Sequence, residues 1–238
     1  MEQERPPITK LYFKAFKAVD NREACMKFIE GHTHVLEIFG ITQITSAKID
    51  WVINPNVYVI LVSAEENGRA LAGSRVHIAD GKYPLPVEGA VGTMDDRIYN
   101  MVQDRIERGT GELCGVWNSW EIAGLGVGSW ILSQISVAVS SLIGLQSLFG
   151  LTAPATYRNA VRGGFRVVKE IGLNGKFYYP KEDLLATVVL NDELDTLPTA
   201  TKESHDFVMS LRKDPVQTLT IPNKTNDGFI DMHIDIRL

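Results

Sequence analysis

Cysteine, basic charge and an apolar N-terminus are scarce or absent in this sequence, and each lack excludes a class of protein. The 238 residues include two cysteines, Cys25 and Cys114, without metal-ligand spacing, which indicates buried thiols in a reducing compartment. The net charge is −5, so the chain lacks the basic stripe of a nucleic-acid-binding protein. The opening MEQERPPITK has no apolar signal core, and we expect a cytoplasmic protein.

Charged side chains are missing altogether from Ile122 to Tyr157. The stretch is long enough to cross a membrane. However, serines recur at helical spacing along it, beside an apolar face, and no basic cluster flanks either end to set an orientation. The serines are Ser129, Ser133, Ser136 and Ser140. We therefore expect a helix buried on one face of a sheet rather than a membrane span.

Three glycines precede this helix, at the point where a predicted strand ends. Gly124, Gly126 and Gly128 alternate with apolar residues in the run AGLGVGSWIL. Glycine allows backbone conformations that other residues resist and lets the chain approach a ligand closely. The helix start behind the glycines leaves amides without partners and a partial positive charge. The sequence therefore predicts a site for a phosphate-bearing ligand.

Hydrophobic periodicity and turn residues predict an alternation of strands and helices. Strands are expected over residues 10–19, 51–63 with a break at Asn54 and Pro55, 69–79, 112–118, 145–152, 165–171, 184–190 and, as an edge, 229–236. Helices are expected from Asp20 or Asn21 to about 38, over 94–108, over 129–144, from Pro154 onwards and over 203–211. Residues 80–92 are expected to form a loop.

The first helix carries candidate core positions and two histidines. Its predicted buried side chains are Ala24, Phe28, Val35 and Phe39. His32 and His34 lie two residues apart and so face different sides of the helix. A metal site would need further ligands that the sequence does not supply, and we expect no metal.

The order strand, helix, hairpin, helix, strand, glycine turn, helix, strand, helix, strand resembles the GNAT superfamily of acyl-CoA N-acyltransferases over residues 10–190. AGLGVGSWIL matches the family's glycine turn and helix start, and YRNAVRGGF resembles its short final helix. The resemblance implies an α/β (α+β) fold with a central mixed, largely antiparallel sheet flanked by helices. Residues 1–190 would form the acyltransferase domain, and 191–238 a C-terminal extension that packs on it.

The same resemblance implies transfer of an acyl group from acetyl-CoA or a longer acyl-CoA, or from acyl carrier protein, to an amine that attacks the thioester directly. Backbone amides after Gly124 would hold the pyrophosphate of coenzyme A, and these belong to Leu125, Gly126, Val127, Gly128 and Ser129. An amide near the end of the central strand would polarise the thioester carbonyl, from Trp117, Asn118 or Ser119.

Two positions depart from the family pattern. Ala123 stands where the family has an arginine or glutamine before the glycine turn. Ala160 stands where many members have a tyrosine that protonates the departing thiolate, and Tyr157, three residues earlier, is the candidate acid here. These departures leave a second hypothesis open, a catalytically inactive GNAT-fold protein that binds or senses acyl-CoA.

A narrower resemblance links ALAGSRVH, YPLPVE and GELCGVW to the autoinducer-synthase-like and long-chain N-acyl amino acid synthase branch. In that branch an acidic residue at the start of the central strand lies near the amine, and Glu112 is the matching position. Burial would raise its pKa and make it a base; the alternative is a carboxylate facing solvent. Glu88 and His77 lie where the family's acceptor pocket is commonly lined.

Aromatic and basic residues around the glycine turn allow two interpretations each. The tryptophans suit either an acyl tunnel or core packing; they are Trp117, Trp120 and Trp130. One of three arginines could neutralise a phosphate, or all could be solvated; they are Arg158, Arg162 and Arg166. The tail from Asn191 could cover the acceptor site, pair with a second subunit in a homodimer, or extend the sheet.

Overall fold

The computed structural model describes residues 7–38, 40–41 and 48–238. Ten strands form one sheet. They are β1 (Lys10–Lys17), β2 (Val57–Ser63), β3 (Ala70–Ile78), β4 (Thr110–Asn118), β5 (Ser147–Thr152), β6 (Arg166–Val167), β7 (Lys176–Tyr178), β8 (Leu185–Asn191), β9 (Val216–Pro222) and β10 (Phe229–Asp235). The α-helices are α1 (Arg22–Ile38), α2 (Pro86–Val91), α3 (Arg97–Gln103), α4 (Ser129–Leu142), α5 (Pro154–Arg162) and α6 (Lys202–Lys213).

The strand order is β6-β8-β5-β4-β3-β2-β1-β10-β9, and β7 also pairs with β8. β4 runs parallel to β5 and β1 parallel to β10, while the other pairs are antiparallel. The parallel β4–β5 pair is joined through α4, because parallel neighbours need a crossover connection. The sheet is therefore mixed and largely antiparallel, which confirms the fold class that the sequence predicts.

One face of the sheet is covered by α4, against which α6 packs. The serine hydroxyls of α4 bond to carbonyls one turn back in the same helix, as from Ser136 to Leu132 (2.8 Å) and from Ser140 to Ser136 (2.8 Å). The Ser136 hydroxyl also lies 2.8 Å from that of Ser74 on β3. The polar stripe is thus satisfied inside the protein. Across the described ranges, no helix combines the length and apolar character that a membrane crossing needs.

The opposite face is covered by α1, α2 and α3. Under α1, Phe28 meets the rings of Trp51 and Trp117 edge-on, with centroids 5.6 and 5.8 Å apart. This geometry is one of the favoured arrangements of aromatic pairs. Among the predicted core positions of α1, Phe28 is fully buried, Ala24 and Val35 are half-buried, and Phe39 lies outside the described residues. His32 is buried and His34 is exposed.

The fit between α1 and Trp117 is tight enough to test. A Cβ atom on Gly31 would lie 2.1 Å from Cη2 of Trp117. Because such a contact forces the ring or the helix to move, we expect Gly31→Ala to lower the free energy of unfolding by roughly 1–3 kcal/mol. Urea denaturation followed by tryptophan fluorescence measures this. Gly128→Ala is the matched control, because a Cβ there meets no atom within 4 Å, and an equal loss in both variants would contradict the packing described.

Several predicted elements differ from the structure. Residues 51–53 belong to a 3₁₀ turn, Asp50–Ile53, because the strand cannot pass Asn54 and Pro55. The predicted loop contains α2, which Pro86 opens and which Glu88 caps by accepting a 2.6 Å hydrogen bond from the amide of Leu85. Two further elements are shorter than expected, namely the helix after residue 94 and the strand after residue 165.

The tail adds two strands to the sheet. β10 was expected at an edge, but it lies between β1 and β9, and β9 forms the edge. The sequence pattern missed β9 and the short β7. β9 alternates exposed and half-buried residues and so lacks a strong apolar signal. The tail therefore extends the sheet. The division of the chain at residue 190 into a domain and a C-terminal extension stays a prediction.

Candidate functional site

The glycine turn lies between the end of β4 and the start of α4. Gly124 and Gly126 have φ values of 84° and 97°, in the region that favours glycine. The side chains of Leu125 and Val127 are buried in the core beneath α4. Apolar anchors therefore alternate with glycines, so the anchors hold the turn while the glycines add no side chains of their own to its outer surface.

The turn delivers the chain to the N-terminus of α4. Gly128 is the N-cap residue, so no side chain caps the helix, and a Cβ atom there would meet nothing within 4 Å. The side-chain amide of Asn159 on α5 donates to the Ser129 hydroxyl at 2.8 Å. The Leu125 amide already donates to the carbonyl of Ile122 at 3.3 Å. The first-turn amides of α4 and the open space before them are the arrangement that favours an anion at a helix N-terminus.

A gap opens in the sheet beside this turn. The pairing of β4 with β5 runs from Thr110 opposite Ser147 to Leu113 opposite Gly150, and β4 continues to Asn118 without further register to β5. Gly115, with φ of 57°, produces a bulge in β4 where the register with β3 shifts. Beyond Leu113 and Gly150 the two strands have no paired residues, which leaves an opening between their ends.

Backbone amides of β4 face this opening. The Ser119 amide donates to the carbonyl of Leu71 at 2.7 Å and so points to β3. Because successive amides of a strand point to opposite sides, those of Asn118 and Val116 face the opening. Of the three amides that the sequence suggested for polarising a carbonyl, the strand geometry favours that of Asn118, and it adds Val116.

Glu112 is buried on β4, on the face covered by α1, α2 and α3. One of its carboxylate oxygens accepts a 2.6 Å hydrogen bond from the amide of Val87 at the start of α2. Burial raises the pKa of Glu112 to about 8, against the opposing effects of the Val87 amide and the Arg75 charge. The carboxyl is therefore not a solvent-facing residue, and its pKa lies in the range that a general base needs near neutral pH.

A cavity of about 220 Å³ on this face of the sheet is lined by Arg75, His77 and the segment from Tyr83 to Pro86, and Glu112 is not among its lining residues. His77 stands opposite Glu112 across the β3–β4 pair. Burial, with a smaller contribution from Arg75, holds the pKa of His77 well below its ordinary value, so its imidazole is neutral. Glu88 lies on α2 and is also buried, and this burial raises the pKa of its carboxyl group. Arg75, His77, Glu88 and Glu112 are thus buried polar residues within a largely apolar layer of the fold.

Arg75 is the part of this site that the sequence pattern did not indicate. Its guanidinium is 1% exposed and lies 4.4 Å from the ring centroid of Trp51 and 5.3 Å from that of Phe28. Burial lowers the pKa of Arg75, and nearby Cys114 and Glu112 oppose this. The available signal was the single charged residue in the strand ALAGSRVHI, since an arginine is rarely buried without a partner.

Other candidate residues lie apart from one another. Trp117 packs under α1, while Trp130 stacks on Phe207 of α6, so the tryptophans do not line one tunnel. Arg162 and Arg166 pair with Glu203 (2.5 Å) and Asp192 (2.7 Å). The remaining predicted residues are exposed or partly exposed: Tyr157 on α5, Arg158 on α5 and Trp120 in the turn. In the described part of the chain, no cluster of three metal-ligating side chains occurs.

No family model matches this sequence, and no curated protein sequence matches it either. Solved structures do share its fold. An N-acyl amino acid synthase from uncultured soil microbes, FeeM, is 11% identical with a TM-score of 0.58, over 82% of this chain and 96% of that one. A CoA-dependent acyl-homoserine lactone synthase, MesI, is 12% identical with a TM-score of 0.52, over 84% and 95%.

A second CoA-dependent acyl-homoserine lactone synthase, BjaI, solved with SAM and isopentyl-CoA, is 13% identical with a TM-score of 0.53, over 86% of this chain and 90% of that one. Each likeness covers most of both chains. They show that this chain shares the fold of these acyltransferases, which is the fold that the resemblance in the sequence implies.

Proposed function

We propose that this protein is an N-acyltransferase that moves an acyl group from an acyl-CoA to the amine of a small acceptor. The observation that carries the proposal is the placement of two sites on either side of one opening. The glycine turn and the N-terminus of α4 lie at the end of β4, and the cavity is lined by His77, the β3 residue paired with Glu112. A thioester held at the first site would reach an amine at the second through the gap between β4 and β5.

The residues then divide the reaction between them. Glu112 removes the proton from the ammonium group, directly or through a water, because its raised pKa makes it a base of matching strength. The neutral amine attacks the thioester carbonyl, whose oxygen the Asn118 amide polarises. A C–N bond forms and the C–S bond breaks. After the attack the nitrogen loses a second proton, and this loss balances the proton that the departing thiolate takes up. Tyr157 stays the candidate donor of a proton to the thiolate.

We further propose that the acceptor carries an acidic group beside its amine, as an amino acid does. Arg75 lies in the wall of the acceptor cavity, and a guanidinium pairs well with a carboxylate. Two of the similar structures support this class, since one is an N-acyl amino acid synthase and another was solved with SAM.

The buried thiols of Cys25 and Cys114 form no disulfide, which agrees with a protein of the reducing cytoplasm.

The test is acyl transfer with an unbiased set of acceptors. We expect the protein to release free thiol from acyl-CoAs when amino acids are supplied, and mass spectrometry to show an N-acylated amino acid. The acyl-CoAs span acetyl to long chains, and the same acyl groups on acyl carrier protein test the alternative carrier. Release of thiol with simple alkylamines but not with amino acids would contradict the proposed acceptor class.

A second candidate function is acyl-CoA binding without turnover. It is favoured by Tyr157, which is 37% exposed on α5, and by Ala160 at the position where many relatives of this fold carry the acid. Binding of acyl-CoA in calorimetry, with no thiol release from any acyl-CoA and amine pair, would select this function over the first.

A further inference from the structure

The C-terminal hairpin reaches back to the glycine turn. The loop between β9 and β10 places Lys224 over Gly126, with its Cγ, Cδ and Cε atoms 3.2–3.3 Å from the position that a Cβ of Gly126 would take. The backbone amide of Lys224 donates to the carbonyl of Leu125 at 3.2 Å. Both the main chain and the side chain of Lys224 therefore contact the glycine turn.

Hydrogen bonds within this loop between β9 and β10 fix its conformation. The Asn223 side chain is buried, and its oxygen accepts hydrogen bonds from the amide (2.9 Å) and the hydroxyl (2.8 Å) of Thr225. The amide of Asn223 donates to the carbonyl of Gly228 at 2.9 Å, and Gly228 donates to the Asn226 side chain at 2.8 Å. Residues on both sides of Lys224 are therefore fixed, so the lysine is presented to the turn by a rigid support.

The exposed side chain of Lys224 adds a cation on the turn that leads into the N-terminus of α4. A helix N-terminus carries a partial positive charge, and cations are stabilised at the other end of a helix. Among the described residues, no carboxylate pairs with the ammonium of Lys224. A negative group held between Lys224 and the first turn of α4 would satisfy both.

We infer that Lys224 binds the pyrophosphate of the acyl-CoA and takes the place of the cation or amide side chain that Ala123 cannot supply. The inference rests on the proposed function, since it assigns a residue to that same thioester site. It also gives the C-terminal hairpin a functional role, because the strand pairs β1–β10 and β9–β10 position the lysine. The arginines suggested by the sequence are not needed for this role.

The experiment compares binding of three ligands by calorimetry: CoA, dephospho-CoA and pantetheine. We expect Lys224→Gln to weaken CoA and dephospho-CoA binding equally, by about 10- to 100-fold, because one charge-assisted contact is lost. Pantetheine, which lacks the pyrophosphate, should bind the variant and the wild type alike. Lys224→Arg should restore most of the affinity, and Lys213→Gln at the exposed end of α6 should leave it unchanged.

The outcomes separate this inference from the proposed function. Unchanged CoA affinity in Lys224→Gln would overturn the role of the lysine and leave the proposed function intact. Loss for CoA but not for dephospho-CoA would place the contact on the 3′-phosphate and overturn the assignment to the pyrophosphate. Equal loss for pantetheine would show a general structural role and overturn it as well. If the wild type binds no CoA, the proposed function fails first and the role of Lys224 with it.

Discussion

Gly128→Asp is expected to reduce acyl-CoA affinity by roughly 100-fold or more while the protein stays as stable as the wild type or becomes slightly more stable. Gly128 is the N-cap of α4, with extended backbone angles (φ −69°, ψ −153°) and open space where a side chain would project. Aspartate is a favoured N-cap residue and its charge suits the helix dipole. The carboxylate would occupy the first-turn amides and repel the phosphates that we place there.

Two substitutions at the same position separate charge from size. Gly128→Asn offers a similar cap without the charge and should show a smaller loss. Gly128→Ala adds only a methyl group in open space, and we expect affinity within about threefold of the wild type. Calorimetric titration with CoA and thermal denaturation give the two readouts. Wild-type affinity in Gly128→Asp would mean that the phosphates do not bind at the start of α4.

Glu112→Gln should lower kcat/KM for acyl transfer by about 10²–10⁴-fold while acyl-CoA affinity is preserved. General base catalysis contributes a factor of this size, and the glutamine keeps the shape of the side chain and its hydrogen bond from the Val87 amide. The wild-type kcat/KM should rise with pH and level off above about 8, the pKa to which burial raises this carboxyl. The variant should lack this rise. The same pH profile in both proteins would assign the proton transfer to another group.

The same carboxyl affects stability with a defined sign. Because its folded-state pKa, about 8, exceeds its ordinary value of 4.5, the folded protein keeps a proton that the unfolded chain releases between these pH values. Stability therefore falls as pH rises through this window, by up to roughly 1.4 kcal/mol per pH unit from this group. Urea denaturation at pH 5 and pH 8 should show a smaller fall in Glu112→Gln, which verifies burial of the carboxyl independently of activity.

Local patterns in the sequence predicted the turn and the helix behind it. Glycines at alternate positions, followed by an uncharged run with serines at helical spacing, indicate a ligand-binding turn and a buried helix, and α4 begins at Ser129 as expected. These signals depend on residues that are neighbours in the chain, so they can be recognised without the fold. The order of the stronger elements followed in the same way, and with it the likeness to GNAT-like acyltransferases.

Such local patterns do not predict the elements with weak sequence signals, β9 and α2. β9 carries no buried residue, and its place in the sheet depends on pairing with β10 rather than on its own sequence. The sequence predicts a loop at the six-residue helix α2 because its proline and glycine are also turn residues. In both cases tertiary contacts decide a conformation that the local sequence leaves open.

By itself, the sequence determined where the glycine turn and the helix behind it lie, and it pointed to Glu112 as the candidate base. Only the tertiary structure decided what surrounds them. The pKa of Glu112 follows from burial between β4 and α2, and the cation at Gly126 comes from a hairpin far away in the chain. Such contacts depend on the register of the whole sheet, in which a shift of one residue turns every side chain to the other face. No local pattern carries that information, because it arises when distant strands pair.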